Sequence, residues 1–447
     1  MQMIIIHNGL IINQGTRTYG YLVICGERIV AVRAGEVTAE LLAKAQKVVD
    51  AHGGLILPGV IDDQVHFREP GMTEKGDIAS ESRAAVAGGV TSFMEMPNTK
   101  PAATTRELLE QKYDRAAEVS PANYSFYLGA TNDNIKEIEQ VDTHRVCGVK
   151  VFMGSSTGNM LVDRLRSLEA IFECSPVLVA THSEDEGMIQ SALREAFNKY
   201  GDNIPLALHP LIRSAEACYR SSAQAVALAT KYNARLHVLH LSTAVEMSLF
   251  SERPLAEKRI TAEVCAHHLW FTDQDYARCG NAIKWNPAIK TTHDRDALRE
   301  ALRVGRLDVV ATDHAPHTLE QKNHPYTTCP SGAPLVQHSL VMMLEMADQG
   351  IFDYELVVQK MCHNPAILFS ITGRGFLREG YRADVVVIKR EQWEVSESNI
   401  LYKCGWSPLQ GQEFHHRVSH TFVNGHLAYE NGVLSDELHG ERLMFDR

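Results

Sequence analysis

The sequence contains no block of basic residues, no Cys-x-x-Cys pair and no long hydrophobic run. Its net charge is −11 at pH 7. With this charge and without a basic block, the chain has no stretch suited to follow a phosphate backbone, and we expect no nucleic acid partner. No segment reaches the roughly 18 apolar residues of a membrane span, and the opening MQMIIIHNGLII is too poor in positive charge for a signal peptide. We therefore expect no membrane partner either.

The nine cysteines are scattered along the chain, which argues against a disulfide framework or a zinc knuckle. Hydrophobic residues make up 45% of the chain and charged residues 22%, which is typical of folded globular proteins. A chain of 447 residues is longer than those that usually form a single hydrophobic core, but its length suits a large α/β barrel with a small additional domain. The composition therefore indicates a reduced, cytoplasmic protein.

From about residue 56 a pattern of apolar run, polar loop and amphipathic helix repeats along the chain. The strand candidates are GVIDDQVHF, VTSFMEMPN, NYSFYLGAT, CGVKVFM, PVLVATHSE, ARLHVLHLST, ITAEVCAHH and LDVVATDHAPH. Parallel strands need helical crossovers and are buried on both faces, so the pattern predicts an α/β fold, a (β/α)8 TIM barrel over residues 56–374. Residues 1–55 and 375–447 contain short strand-like runs instead, and we expect both ends to form one small β-sandwich domain.

Residues with catalytic or metal-binding chemistry collect at the carboxyl ends of these predicted strands. In a barrel of this kind the active site lies at that rim, whatever the reaction. A single histidine among 21 is more often packed or solvated, but histidines and an aspartate at matching ends of several strands favour a functional site. The residues concerned are His66, Arg68, Asn98, Lys150, His182, His240, Asp313 and His317.

Gln64 stands where a second histidine would complete a His-x-His metal-binding pair with His66. Alternation by two along the strand places Gln64 and His66 on one face and Asp63 on the other. We therefore expect Asp63 to point toward the helices and to be a poor replacement ligand. From this strand, only the amide oxygen of Gln64 is placed to supplement His66, as a neutral and weak donor.

Lys150 and Asp313 each allow a structural and a functional interpretation. A buried lysine can lose its proton and take up CO2 as a carbamate, but the sequence alone favours a Lys150 that reaches solvent or pairs with a carboxylate. Asp313 could ligate a metal and accept a proton, or act as an N-cap or turn residue. His314 and His317 in the same turn favour the functional interpretation of Asp313.

Several motifs in chain order resemble the dihydroorotases of the amidohydrolase superfamily. They are DxxVHFREPG, MPNT, VKVFM, ATHSE, HVLHLST, AEVCAHHL, KWNPAIK and ATDHAPH. The resemblance covers essentially the whole chain, and HFREPG together with MPNT and DHAPH is specific. It implies a reversible ring closure in de novo pyrimidine (UMP) biosynthesis, in which N-carbamoyl-L-aspartate loses water to give L-dihydroorotate.

The same resemblance implies a role for individual residues. The ligands of a centre of one or two zinc ions would be His66, Lys150 carboxylated by CO2, His182, His240 and Asp313. Asp313 would also be the catalytic base. The substrate-binding residues would be Arg68, Asn98, Asn286 and His317, with Arg68 and Asn98 on the substrate carboxylate. Gln64 departs from the family pattern, which puts the occupancy of the metal position beside His66 in doubt.

Two other functions stay open. Another cyclic amidohydrolase, of the allantoinase or dihydropyrimidinase type, would share the barrel and most ligands, but its substrate lacks the carboxylate that Arg68 and Asn98 would hold. A non-catalytic dihydroorotase homologue, acting as a structural partner of aspartate transcarbamoylase, would first lose a ligand such as the one missing at Gln64. The resemblance also implies a homo-oligomer, and it leaves an association with aspartate transcarbamoylase open.

Overall fold

The computed structural model describes residues 2–154 and 160–447, so Met1 and a short segment of the predicted barrel, 155–159, lie outside the description. The chain begins with strands and one short helix. These are β1 (Met3–Asn13), β2 (Thr16–Cys25), β3 (Arg28–Ala34), α1 (Ala39–Leu42), β4 (Lys47–Asp50) and β5 (Leu55–Pro58). Tight turns join the first three strands, where Gly15 and Gly26 adopt positive φ angles of 71° and 58°.

The strands of the barrel follow. They are β6 (Val60–Val65), β7 (Val90–Glu95), β8 (Asn123–Phe126), β9 (Leu128–Gly129), β10 (Val149–Phe152), β11 (Val179–His182), β12 (Leu236–Val238), β13 (Ile260–Cys265) and β14 (Val309–Ala311). Neighbours pair in parallel, and β8 and β9 are two parts of one strand interrupted at Tyr127. Val65 pairs with His314, which closes the ring. The predicted (β/α)8 barrel and its strands are confirmed.

Helices follow these strands along the chain, and the last four come after β14. They are α2 (Ile78–Ala87), α3 (Arg106–Val119), α4 (Ile135–Glu139), α5 (Leu165–Cys174), α6 (Glu186–Tyr200), α7 (His209–Ile212), α8 (Ala215–Tyr232), α9 (Ala266–Trp270), α10 (Tyr276–Cys279), α11 (Thr292–Arg303), α12 (Leu319–Lys322), α13 (Ser339–Asp348), α14 (Tyr354–Val358) and α15 (Asn364–Phe369). The longer ones begin at side chains that accept a backbone N–H, such as Asp77, Asp185 and Ser214. Among the described helices, none has the length and apolar character needed to cross a bilayer.

The C-terminal strands return to the N-terminal ones. They are β15 (Val385–Glu394), β16 (Glu413–Val423), β17 (His426–Glu430) and β18 (Val433–Leu434). One sheet runs in the order β18-β17-β16-β15-β5-β1-β2-β3, with β4 on β1, and it encloses a core that includes Ile6, Ile24, Ile56, Val387 and Phe422. The expected β-sandwich from both chain ends is confirmed. The domain boundaries at residues 55 and 375 stay predictions, and β5 extends the sheet to Pro58.

Asp63 lies inside the barrel and not on its helix-facing side. Its Oδ2 lies 3.3 Å from Nε2 of His237 in β12, and the same Nε2 lies 3.2 Å from Oε2 of Glu263 in β13. All three residues are fully buried. The prediction that Asp63 points toward the helices is therefore wrong.

The reason is an irregularity in β6. Asp62 pairs with Phe93 of β7, but Val65 pairs with Glu95, so three steps along β6 match two steps along β7. An extra residue of this kind forms a β-bulge, which breaks the alternation of side chains between the two faces. As a result, Asp63 faces the barrel interior while Gln64 still lines the cavity at the rim.

A buried ion pair ties the C-terminal sheet to the barrel. Nη1 of Arg374 donates to Oδ2 of Asp384 at 2.5 Å, and both residues are at most 5% exposed. Asp384 also accepts from the backbone N–H of Asn424 at 2.8 Å and from the side-chain amide of Asn123, in β8, at 3.3 Å. Nη2 of Arg374 also pairs with Oε2 of Glu441 at 3.0 Å, and the side chain of Glu441 is 39% exposed, so Asp384 is the buried one of its two carboxylate partners.

We expect Asp384→Asn to lower the free energy of unfolding by about 1.5–3 kcal/mol, because Arg374 loses its buried counter-charge and keeps the partly exposed Glu441 as its carboxylate partner. Urea denaturation followed by circular dichroism measures this difference. Asp133→Asn is the matched control, since Asp133 pairs with Arg164 at an 80% exposed position and should change stability by less than about 1 kcal/mol. Equal effects of the two variants would contradict the argument from burial.

Candidate functional site

A cavity of about 300 Å³ opens at the carboxyl ends of the barrel strands. It is lined by all the residues that the sequence singled out, namely Gln64, His66, Arg68, Asn98, Lys150, His182, His240, Asn286, Asp313 and His317. The other lining residues are Phe152, Ala315 and the segment Pro330–Gly332. The fold thus brings these side chains to one place, while their individual roles stay predictions.

Two histidines face each other on neighbouring strands. Nδ1 of His182, at the end of β11, lies 2.9 Å from Nε2 of His240, which follows β12. Two donors that share a tetrahedral zinc ion, with bonds of about 2.0–2.1 Å, lie roughly 3.3 Å apart, so the pair is already close to the spacing that one ion needs. Burial, with His182 and Lys150 nearby, keeps the pKa of His240 well below its usual value, and the neutral ring is the form that binds metals.

Glu184 and Arg213 hold the ring of His182 from behind. Nε2 of His182 lies 2.9 Å from Oε2 of Glu184, and Arg213 donates to the same oxygen. Burial alone would raise the pKa of Glu184, but Arg213 and His182 outweigh it and lower this pKa to about 2. An ionised carboxylate at Nε2 holds the proton there, which leaves Nδ1 of His182 as a lone-pair donor.

Neither Glu184 nor Arg213 is among the residues predicted from the sequence. Glu184 lies two positions after His182, so alternation along a strand offered a signal for it. Arg213 lies in the connection between α7 and α8, and its sequence position gives no sign that it contacts Glu184.

A second pair of donors lies at the seam between β6 and β14. Nε2 of His66 lies 3.1 Å from Oδ1 of Asp313, and Nδ1 of His66 lies 2.8 Å from Oδ1 of Asn98. Nε2 of Gln64 donates to the same Oδ1 of Asp313 at 3.3 Å, whereas Oε1 of Gln64 faces Sγ of Cys265 at 3.8 Å. The amide oxygen therefore points away from the His66–Asp313 pair. A ligand role of Gln64 stays a prediction, and it would require the amide to rotate.

Lys150 is buried in β10, with its amine lining the cavity. The residue is 1% exposed, so the interpretation that it reaches solvent is wrong. Its Nζ lies 4.7 Å from the centre of the Phe152 ring, and within the described part of the chain it forms no salt bridge. Burial lowers the pKa of Lys150 to about 7, although Asp313 and Glu263 oppose this shift. A substantial fraction of the amine is therefore neutral near pH 7.

Arg68 is held in the cavity wall by the turn after β14. Its Nε donates to the carbonyl of Pro316 at 3.0 Å, and its Nη2 lies 3.1 Å from Nε2 of His317. In residues 2–154 and 160–447 no carboxylate forms a salt bridge with Arg68, although the residue is only 7% exposed. Burial lowers its pKa to about 10, so the guanidinium remains charged at neutral pH.

One wall of the cavity is a loop anchored by two buried lysines. Lys322 donates to two carbonyls of the segment Pro330–Gly332, at 3.0 and 2.9 Å, and Lys284 donates to two further carbonyls of the loop, at 2.7 and 2.6 Å. Gly332 has a φ of 120°, and a Cβ atom there would lie 2.6 Å from the carbonyl oxygen of Ala315. Only glycine fits this close approach.

Three residues of the site have backbone angles in the left-handed region. The φ angles are 72° for Arg68, 41° for His240 and 47° for Asp313. Such conformations cost of the order of 1 kcal/mol or more for residues with a Cβ atom, and they persist only where the surroundings impose them. Each of the three lies just beyond the end of a barrel strand, where the conformation turns its side chain into the cavity.

Comparisons with known proteins agree with this geometry. The sequence pattern of the amidohydrolase family matches residues 55–428. A dihydroorotase of Bacillus subtilis is 30% identical over 440 residues, covering 96% of this chain and 99% of its own. A dihydroorotase of Methanosarcina acetivorans is 32% identical over 385 residues, covering 83% of this chain and 81% of its own.

Solved structures share the whole fold. The L-hydantoinase (dihydropyrimidinase) of Arthrobacter aurescens has a TM-score of 0.92 and 25% sequence identity, covering 99% of this chain and 100% of its own. A dihydropyrimidinase of Brevibacillus agri, at 22% identity and a TM-score of 0.87, shares the fold as well. The chain therefore belongs to the amidohydrolase family and is a hydrolase that acts on cyclic amides.

Proposed function

We propose that this chain is a dihydroorotase, which interconverts N-carbamoyl-L-aspartate and L-dihydroorotate in de novo pyrimidine (UMP) biosynthesis. One observation carries the choice among cyclic amides: Arg68 lines the cavity, buried and without a carboxylate partner in the described residues. An unpaired buried cation is costly, and its planar fork suits a carboxylate that accepts two parallel hydrogen bonds. Dihydroorotate carries such a carboxylate, whereas allantoin and the dihydropyrimidines do not.

The donors around the cavity fit a zinc centre of one or two ions per chain. His182 with His240 presents two facing atoms, and His66 with Asp313 presents two more, each pair at a spacing that one ion can share. We assign the remaining ligand to Lys150, carboxylated by CO2. Bound zinc would supply Lewis-acid chemistry, namely the activation of a water molecule near neutral pH and the polarisation of the ring amide.

Asp313 is suited to move the proton. Gln64 and His66 both contact its Oδ1, which leaves Oδ2 for proton transfer. In hydrolysis Asp313 accepts a proton from the attacking water and delivers it to the ring nitrogen as the C–N bond breaks. In ring closure it takes a proton from the ureido nitrogen and returns it to the departing water, so one carboxylate serves both directions.

The remaining side chains bind and orient the substrate. Arg68 and Asn98 hold its carboxylate, and Asn286 and His317 contact the rest. Burial, with Arg68 nearby, keeps the pKa of His317 well below its usual value, so the ring is a neutral hydrogen-bond partner. Oδ1 of Asn286 is buried and has no hydrogen-bond partner within the described chain, which leaves it free to accept from the substrate ring.

We expect Arg68→Met to reduce kcat/KM for dihydroorotate by roughly a hundredfold to a few thousandfold, because the loss of a buried charge pair costs about 3–5 kcal/mol. Steady-state hydrolysis of dihydroorotate, with zinc content measured on the same sample, tests this. Arg115→Met is the matched control, because Arg115 is 43% exposed and pairs with Glu69 on the surface, so its rate should equal that of the unmodified protein.

The choice of substrate is tested on the unmodified protein with cyclic amides that lack a carboxylate. Dihydroorotate should be hydrolysed with a higher kcat/KM than dihydrouracil, hydantoin or allantoin. Unchanged kinetics in Arg68→Met, or a preference for a neutral ring, would assign the chain to another cyclic amidohydrolase activity.

Carboxylation of Lys150 predicts that zinc binding depends on CO2. Metal-free protein should take up zinc more tightly in bicarbonate than in CO2-free buffer, since the carbamate adds an anionic ligand. Labelled bicarbonate should give a carbamate carbon resonance in the NMR spectrum, and Lys150→Met should abolish it. Lys136→Met, at an exposed position of α4, is the control. A resonance that survives in Lys150→Met would rule out Lys150 as the modified residue.

Gln64 predicts a weak metal position beside His66. We expect Gln64→His to tighten zinc binding there by about tenfold or more, because an imidazole nitrogen is a stronger zinc ligand than an amide. Zinc titration of the metal-free protein measures the second equivalent. Gln190→His adds a histidine at an exposed site of α6 and should leave the titration unchanged. If Gln64→His behaved like this control, Gln64 would not limit the position.

The resemblance to dihydroorotases is also the basis for a proposal about location and partners. We propose that the chain works in the cytoplasm as a homo-oligomer and associates with aspartate transcarbamoylase. These assignments stay predictions, since nothing on the described surface identifies either partner.

A further inference from the structure

We propose that Cys265, His267 and His268 form a separate binding site for a thiophilic divalent ion such as Zn²⁺ or Co²⁺, beside the catalytic cavity. Cys265 ends β13, and the two histidines lie in the first turn of α9. The thiol sulfur and one ring nitrogen of each histidine all lie within 4.8 Å of one another. Sulfur and imidazole ligands are the set that zinc and cobalt accept. None of the five zinc ligands of the proposed function takes part.

The donors of this site are buried, and several have no partner. Cys265, His267 and His268 are 0%, 0% and 3% exposed. Among the residues that the structure describes, no hydrogen bond reaches Nδ1 of His268, and His267 has only a poorly aligned contact with the backbone of Thr312. A buried polar atom left unpaired costs free energy. A metal ion would satisfy one nitrogen of each histidine together with the sulfur.

The two rings are already fixed in place. His267 stacks on Trp285 with ring centroids 4.0 Å apart and an interplanar angle of 5°. The centroid of His268 lies 4.2 Å from that of His267, and Nε2 of His268 lies 3.2 Å from the carbonyl oxygen of Pro287. With one nitrogen of His268 held in this way, Nδ1 is left for the metal. Fixed rings lose little conformational freedom when an ion binds.

The protonation states also suit a metal that displaces a proton. Burial keeps the pKa of His267 well below its usual value and lowers that of His268 to about 4, so both rings are neutral. Burial raises the pKa of Cys265, so the thiol is protonated in the free protein. Metal uptake must then release one proton from the sulfur.

Gln64 joins this site to the cavity. A carboxylate can only accept, so the contact with Asp313 turns Nε2 of Gln64 toward it and Oε1 toward the thiol of Cys265, at 3.8 Å. Oε1 is thereby placed as a fourth ligand. Gln64 also lines the catalytic cavity, so its side chain lies between the two sites. An amide at position 64 thus serves both neighbours, a donor to Asp313 and an acceptor toward Cys265.

The competing explanation needs no metal. In it, the thiol of Cys265 donates to Oε1 of Gln64, and the two histidines only fill space beside Trp285. The two explanations differ in one observable: whether the sulfur of Cys265 binds a metal ion.

Cobalt substitution of the full-length protein measures that observable. The protein is stripped with a chelator, reloaded with Co²⁺ and followed by near-ultraviolet absorption, where only a thiolate ligand gives a sulfur-to-cobalt charge-transfer band. Nitrogen and oxygen ligands of the catalytic centre are silent in this respect. We expect the band in the unmodified protein, together with one more bound cobalt equivalent than in Cys265→Ser.

Three variants make the result specific. Cys265→Ser and His268→Asn should both lose the band. Cys218→Ser should keep it, since this buried thiol lies beside Ser242 with Sγ and Oγ 3.9 Å apart, outside the proposed site. Thermal unfolding of each variant checks that it folds, and His268→Asn serves as the test if Cys265→Ser does not.

Either of two results would overturn the proposal. A band that is absent from the unmodified protein, or that survives in Cys265→Ser, would favour the explanation without metal. A band that survives in His268→Asn would mean that the sulfur of Cys265 binds cobalt without His268, so that the proposed set of ligands is wrong. Because absorption is read without turnover, neither result bears on the proposed dihydroorotase activity.

Discussion

The closure of the barrel between its first and last strands is the constraint on which the site depends. The backbone N–H of His66 donates to the carbonyl of His314 at 2.7 Å, and the hydroxyl of Thr312 donates to Asp62 at 2.6 Å. In an open sheet of eight strands spaced about 4.8 Å apart, the first and last strands would be roughly 34 Å from each other. Closure instead brings His66 to 3.1 Å from Asp313. The donors from the first and last strands of the barrel therefore meet only because this seam forms.

Beneath the cavity the barrel is filled by paired polar groups as well as by apolar side chains. His237 lies between Asp63 and Glu263, and Oε1 of Glu263 accepts the backbone N–H of His240 at 3.0 Å. A charged group without a partner would be unstable at this depth. The pairing makes the polar layer tolerable, and through His240 it supports the left-handed backbone that turns this ring toward His182.

Much of the fold and of the site could be predicted from the sequence, because buried parallel strands leave continuous apolar runs and barrel sites lie where those runs end. The direction of the Asp63 side chain could not be predicted from the sequence, because the bulge in β6 arises from its pairing with β7. The burial of Lys150 depends on the strands that surround it. Arg213 meets Glu184 only through the fold. The contact between Cys265 and Gln64 could not be predicted either, because the two residues are far apart in the sequence and meet only in the folded barrel.

The loop segment Pro330–Gly332 has a consequence for how this cavity can diverge. The buried Lys322 holds two of its carbonyls, and Gly332 has no room for a side chain. A change that moves this segment outward would leave the buried amine of Lys322 without these two hydrogen-bond acceptors. A side chain at position 332 would collide with Ala315. Substitutions that enlarge the cavity for a larger ring are therefore expected at other lining residues, such as Asn98 and Phe152. Relatives that differ in substrate preference should differ at those positions.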